Sequence, residues 1–170
     1  MHMLMTVKRG GVFLKVDVKK LLICIAIPLL VGGVSGFLSA GEMEAFEQLK
    51  KPALSPPGWL FPVVWTILYT LMGVASYLVL TSGQPKETIK TALTVYGIQL
   101  AVNFAWSLLF FNLEAYLAAF IWLLYLWLLI LVMIYLFYKI SKPAGILMIP
   151  YLLWVTFAGY LNLGIYLLNR

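Results

Sequence analysis

The chain has 170 residues, of which 64% are hydrophobic and 11% charged, with a formal net charge of +6. A soluble domain of this length cannot hide so much apolar surface, so the composition places the chain in a lipid bilayer. His2 and Cys24 are the single histidine and the single cysteine, which excludes an internal disulfide, a cysteine metal cage and an intramembrane histidine base.

Residues 1–20 read as a basic tail carrying Lys8, Arg9, Lys15, Lys19 and Lys20. Residues 21–170 read as one membrane domain. Its first span is predicted over 21–40. Lysines precede this apolar run as in a secretory leader, but Leu38 stands where an A-x-A-like cleavage site needs a small residue, so the span is expected to be retained.

Between Lys51 and Lys139 the only charges are Lys86, Glu87, Lys90 and Glu114. The uncharged runs between them predict spans over 58–80, 91–111 and 115–138, and a last one over 143–168. About 20 helical residues cross the roughly 30 Å of hydrocarbon in a bilayer. Strand-like alternation is weak, which disfavours a β-barrel. The fold class is therefore an all-α integral membrane protein, a five-transmembrane-helix bundle.

The loop 41–57 differs from the other connections. Acidic residues come first and Lys50 and Lys51 last, which suits a short helix over 42–51. Pro52, Pro56 and Pro57 then stiffen the entry to the second span. Two readings stand: a structured connector, or a lid over a pocket mouth built from Phe46, Leu49, Lys50, Lys51, Pro52, Leu54, Pro56 and Pro57.

Five spans put the tail, the 81–90 loop and the 139–142 loop on one side, with Lys8, Arg9, Lys15, Lys19, Lys20, Lys86, Lys90, Lys139 and Lys142. The other side has Lys50, Lys51 and Arg170. This bias predicts a cytoplasmic N-terminus. The basic residues lie outside the spans, so they read as topology signals and lipid contacts rather than a nucleic-acid surface.

Three stripes run at helical spacing inside the spans. Gln99, Asn103, Trp106 and Phe110 share one face of the third, Trp154, Ala158, Asn162 and Tyr166 one face of the fifth, and Trp65, Tyr69, Met72 and Ser76 one face of the second. Carboxamides are costly in hydrocarbon, so these faces should turn inward, either as interhelical glue or as the lining of a pocket. Such a pocket would suit a flat apolar ligand with a polar edge. No Asp, Glu, Lys or Arg lies in the middle of a span, which disfavours a proton-coupled exporter. No Ser–His–Asp or paired-carboxylate constellation can form there. Gly32 and Gly36, and Gly97 and Ala101, are small-xxx-small pairs suited to close helix approach, within one chain or between two.

At these residues the chain resembles the TspO/MBR family. The resemblance rests on Leu49-Lys50-Lys51-Pro52-Ala53-Leu54-Ser55-Pro56-Pro57-Gly58-Trp59, on Phe61-Pro62, Val64-Trp65, Leu68-Tyr69 and Met72-Gly73, and on Gln99-Leu100, Asn103, Trp106-Ser107 and Phe110-Phe111. It continues with Pro150-Tyr151-Leu152-Leu153-Trp154, Phe157-Ala158 and Leu161-Asn162. It implies a five-helix bundle with a pocket under the first loop that binds porphyrins and other hydrophobic ligands, often in a homodimer. The implied ligand-binding set is Trp65, Tyr69, Gln99, Asn103, Trp106, Phe110, Trp154, Phe157, Ala158 and Asn162, with no catalytic or metal-ligating residue and no obligatory cofactor.

Many bacterial members have a tryptophan before the Ser/Thr-Pro-Pro step, linked to porphyrin photochemistry, where this chain has Leu54. The expected role is thus a tetrapyrrole receptor or binder in a bacterial cell membrane, with its N-terminus in the cytoplasm. A photo-oxidative porphyrin-degrading enzyme, or a passive transporter of lipid, sterol or porphyrin, are the alternatives. The expected partners are the bilayer, a tetrapyrrole or similar small molecule, and a second copy of the chain.

Overall fold

The computed structural model describes the backbone of residues 4–9 and 12–170 and the side chains of 16–42 and 46–170. Where the sequence reading expects only a basic tail, two antiparallel strands form, β1 (Leu4–Arg9) and β2 (Val12–Asp17), with Arg9 opposite Val12 and Leu4 opposite Asp17. The sequence does carry β-branched and aromatic residues here, which favour strands.

Asp17 ends β2 and starts the first long helix, α1 (Val18–Ser39). Its carboxylate accepts from the Lys20 N–H at 3.1 Å, an N-cap bond, and its own N–H donates to the Tyr77 hydroxyl at 3.1 Å. A 3₁₀ turn (Ala40–Glu42) and the short α2 (Met43–Gln48) follow, the latter inside the expected short helix. Then come α3 (Leu60–Leu80), α4 (Lys86–Ser107), α5 (Tyr116–Ile140), α6 (Lys142–Leu147) and α7 (Ile149–Asn169).

Five segments are long and apolar enough to span: Val18–Glu42, Leu60–Leu80, Lys86–Asn112, Tyr116–Ile140 and Lys142–Asn169. The third begins five residues earlier than its lack of charge suggests. Lys86, Glu87 and Lys90 are good helix formers and occupy its exposed first turns. The fifth is broken at Met148 between α6 and α7. Pro150, in the first turn of α7, needs no N–H partner there.

Packing places α1 beside α3, α3 beside α6, α5 beside α6 and α7, α4 beside α5, and α4 again beside α1, so the helices close a ring. The half of the bundle nearer the β-hairpin is solid. Met72, Val79, Ala92, Ile130, Met133, Phe137 and Tyr151 are fully buried there. Two backbones approach closely in this half. A Cβ on Gly73 would lie 2.8 Å from the Cys24 carbonyl oxygen, and one on Gly145 would lie 2.8 Å from the Tyr138 Cα. The other half, beneath α2 and the 49–59 segment, is hollow.

Candidate functional site

The hollow has a volume of ≈ 480 Å³ and a wall that is mostly apolar. Tyr69 forms its floor. The Tyr69 ring stacks on Trp65 at 5.3 Å between centroids, and its hydroxyl accepts from Asn103 Nδ2 at 3.0 Å. On α4, Trp106 stacks on Phe110 at 5.2 Å. The helix then widens into a π-turn over Leu108–Asn112, closed by Leu113 N–H donating to the Leu108 carbonyl at 3.0 Å. From this widened turn the consecutive residues Phe110 and Phe111 both reach the cavity.

From α7 come Trp154, Ala158, Leu161, Asn162 and Ile165. The Trp106 indole N–H donates to Asn162 Oδ1 at 3.2 Å, and Asn162 Nδ2 donates to the Tyr116 carbonyl at 2.8 Å. One carboxamide thus ties α4, α7 and α5 together, and its polar atoms have protein partners.

The roof comes from the 41–59 segment. Phe46 lies edge-on to Phe61, Phe110 and Phe111. The Lys51 ammonium sits 4.6 Å from the Phe46 ring centroid and 3.6 Å from a Glu47 carboxylate oxygen. The segment is held to α7 at three points. Asn169 bonds the backbone of Lys50, the Tyr160 hydroxyl donates to the Ala53 carbonyl at 2.8 Å, and Pro52 sits against Gly164, where a Cβ would lie 2.6 Å from the proline Cγ.

Of the residues singled out from sequence, Trp65, Tyr69, Trp106, Phe110, Trp154, Ala158 and Asn162 line the cavity, with Phe46, Lys51 and Pro56 at its roof. Gln99 and Asn103 lie outside the lining. Gln99 is fully buried and accepts from the Tyr151 hydroxyl at 2.9 Å, while Asn103 supports Tyr69. Phe157, outside the lining, packs beside Trp154 with ring centroids 5.7 Å apart. Leu49, Lys50, Pro52, Leu54 and Pro57 belong to the roof segment without lining the hollow, and Leu54 is 82% exposed.

The sequence profile of the TspO/MBR family matches residues 24–168. The chain belongs to the TspO/MBR family. It is 41% identical to the tryptophan-rich protein TspO of Chlorobaculum tepidum over 88% of this chain and 95% of that one. It is 36% identical to protein CrtK of Rhodobacter capsulatus, covering 81% and 85% of the two chains. It is also 36% identical to the translocator protein of Bos taurus, covering 78% and 82%.

In this TspO/MBR chain, three of the six tryptophans, Trp65, Trp106 and Trp154, face the hollow. Two others are engaged elsewhere: Trp122 donates to the Val102 carbonyl at 2.8 Å and Trp127 to the Thr156 hydroxyl at 2.8 Å. The wall from α1 and the turn after it, namely Leu29, Gly32, Gly33, Ser35, Gly36, Ser39 and Ala40, lies outside the stripes that the sequence marks. All but Leu29 are small, and none carries an aromatic or carboxamide signal. The clue was the glycine pair itself, since Gly32 faces the Tyr69 ring and Gly36 borders the cavity.

Proposed function

We propose that this TspO/MBR membrane protein is a receptor or binder of tetrapyrroles and similar flat hydrophobic ligands. The observation that carries the reading is the hollow of ≈ 480 Å³ walled by Trp65, Tyr69, Trp106, Phe110, Trp154 and Phe61. It falls within the roughly 300–1,000 Å³ typical of small-molecule sites. Burial drives binding, and each well-placed aromatic contact adds about 0.5–1.5 kcal/mol beyond area. Lys51 at the roof would meet a ligand carboxylate. Among the described lining residues there is no His, Cys, Met, Asp or Glu, and the Tyr69 hydroxyl is engaged by Asn103, so the reading rests on burial and stacking and asks for no iron ligand.

The test is a titration of the reconstituted protein with metal-free protoporphyrin IX and with haem, followed by tryptophan quenching. Metal-free porphyrin is expected to bind at least as tightly. Strong selectivity for haem counts against the reading.

Two further proposals concern the assembly. The count of Lys and Arg supports a cytoplasmic N-terminus, which puts the hairpin inside and the roof outside. Gly97 and Ala101 are exposed on α4, and a Cβ on Gly97 meets nothing within 4 Å, so this pair is free to seat a second copy. Cross-linking in membranes should fall with Gly97→Leu. Unchanged cross-linking removes α4 as the dimer surface.

A further inference from the structure

α1 and α3 diverge along the bundle. They touch backbone to backbone at Gly73, where an added Cβ would meet Ile25 and Cys24. One layer on, the Tyr69 ring wedges against Gly32. Beyond it nothing lies within 4 Å of where a Cβ on Gly33 or Gly36 would stand. Gly33, Gly36, Pro62 and Thr66 all line the cavity and are all exposed, and their neighbours Phe37, Val63 and Ile67, outside the lining, are exposed as well. The hollow therefore has an opening in its side, facing the acyl chains.

The rim of that opening is suited to lipid. The Thr66 hydroxyl donates to the Pro62 carbonyl at 2.7 Å, and Thr70 in turn to the Thr66 carbonyl at 2.8 Å, so neither threonine presents an unpaired donor to hydrocarbon. Just inside, Ser35 is 4% exposed, lines the cavity and has no hydrogen-bond partner among the described residues. A polar group on an incoming ligand would give this hydroxyl a partner. The aqueous side, by contrast, is roofed by Phe46 and Pro56 and pinned at Lys50, Pro52 and Ala53.

We propose that the cavity is loaded sideways, from ligand already dissolved in the bilayer, through a window between Gly33 and Gly36 of α1 and Pro62 and Thr66 of α3, and that Ser35 receives a polar edge of the ligand as it passes. This rests on the binding role proposed above and adds the route. A window acts on rates: a side chain that narrows it slows entry and exit together and leaves the equilibrium in place.

The test uses the full chain in nanodiscs, with protoporphyrin IX and the uncharged dye Nile red in parallel, followed by stopped-flow fluorescence. Gly36→Trp on one rim and Thr66→Trp on the other are expected to slow both association and dissociation by at least about tenfold, whereas a side chain that only took up cavity space would speed dissociation. Val34→Trp, on the exposed face of α1 away from the hollow, is expected to change neither rate. Asn169→Ala, which loosens the roof, is expected not to speed entry. Unchanged rates in both rim variants, a loss of affinity without slowing, or faster entry in Asn169→Ala overturns the window. If Nile red binds and porphyrin does not, the tetrapyrrole reading falls and the window is judged on the Nile red rates. If neither binds, both fall.

Discussion

Asn169 pairs with the backbone of Lys50 as a neighbouring strand would. Its Oδ1 accepts the Lys50 N–H at 3.0 Å and its Nδ2 donates to the Lys50 carbonyl at 2.9 Å. A side chain at the end of α7 thereby fixes the centre of the roof, 119 residues away in sequence. Two net hydrogen bonds contribute about 0.5–1.5 kcal/mol each. Asn169→Ala should therefore raise amide exchange at Lys50 and its neighbours by about one to two orders of magnitude, with global stability little changed. Exchange that stays slow would mean that Pro52 against Gly164 and Tyr160 on Ala53 hold the roof unaided.

Leu54 adopts φ 67, in the left-handed region, and its side chain is 82% exposed. A leucine pays for this backbone in steric strain, about 1–2 kcal/mol, and recovers almost nothing by burial. Leu54→Gly should raise the thermal midpoint in detergent by a few degrees, the strain relief being partly offset by the freer unfolded chain. A drop in midpoint would show that the exposed side chain makes a contact that matters, such as one with lipid headgroups. Because position 54 lies outside the cavity lining, Leu54→Trp is expected to leave porphyrin affinity unchanged.

What the sequence disclosed about the fold follows from how lipid restricts a chain. Hydrocarbon demands long uncharged helices, so five spans were legible from the spacing of charges alone. Aromatic and carboxamide stripes were legible as inward faces, because Gln99, Asn103 and Asn162 could not face acyl chains. Periodicity alone does not separate a cavity wall from glue on the same stripe. Asn103 and Trp106 are three residues apart, yet the first supports Tyr69 from below and the second lines the hollow. Two features left no periodic trace. The π-turn at Leu108–Asn112 depends on tertiary packing, and the wall from α1 consists of residues whose contribution is the space they leave open.

Gly73 and Gly33 make opposite predictions for the same substitution. A Cβ at Gly73 would collide with the backbone of Cys24 and Ile25, which cannot rotate away, so α1 must shift. Overpacking of this kind costs about 1–3 kcal/mol, and Gly73→Ala should lower the thermal midpoint accordingly. Gly33 has open space around it. Gly33→Ala should stabilise α1 by up to about 0.5–1 kcal/mol through helix propensity. An unchanged or raised midpoint for Gly73→Ala would mean that α1 and α3 do not touch at Gly73.

Asn162 is the joint among three helices, and the chain Trp106–Asn162–Tyr116 should behave as one unit. Asn162→Leu keeps the volume close but leaves two groups stranded, the Trp106 indole N–H and the Tyr116 carbonyl. Both sites are half-buried, so each stranded group costs up to about 1–3 kcal/mol, and this variant should cost more than Trp106→Phe. Trp106→Phe removes one donor and keeps the bond from Asn162 to Tyr116, so its cost should be smaller. In the double variant the indole N–H that Asn162→Leu would strand is already gone. The summed single losses should then exceed the double loss by a coupling of about 0.5–3 kcal/mol, read from chemical or thermal denaturation in detergent. Simple additivity would mean that the 3.2 Å contact between Trp106 and Asn162 carries no energy of its own. The porphyrin titration adds a second readout. Asn162 has its polar atoms engaged by protein, so Asn162→Leu should weaken affinity only as far as it lets Trp106 move, and Trp106→Phe should reproduce most of that loss.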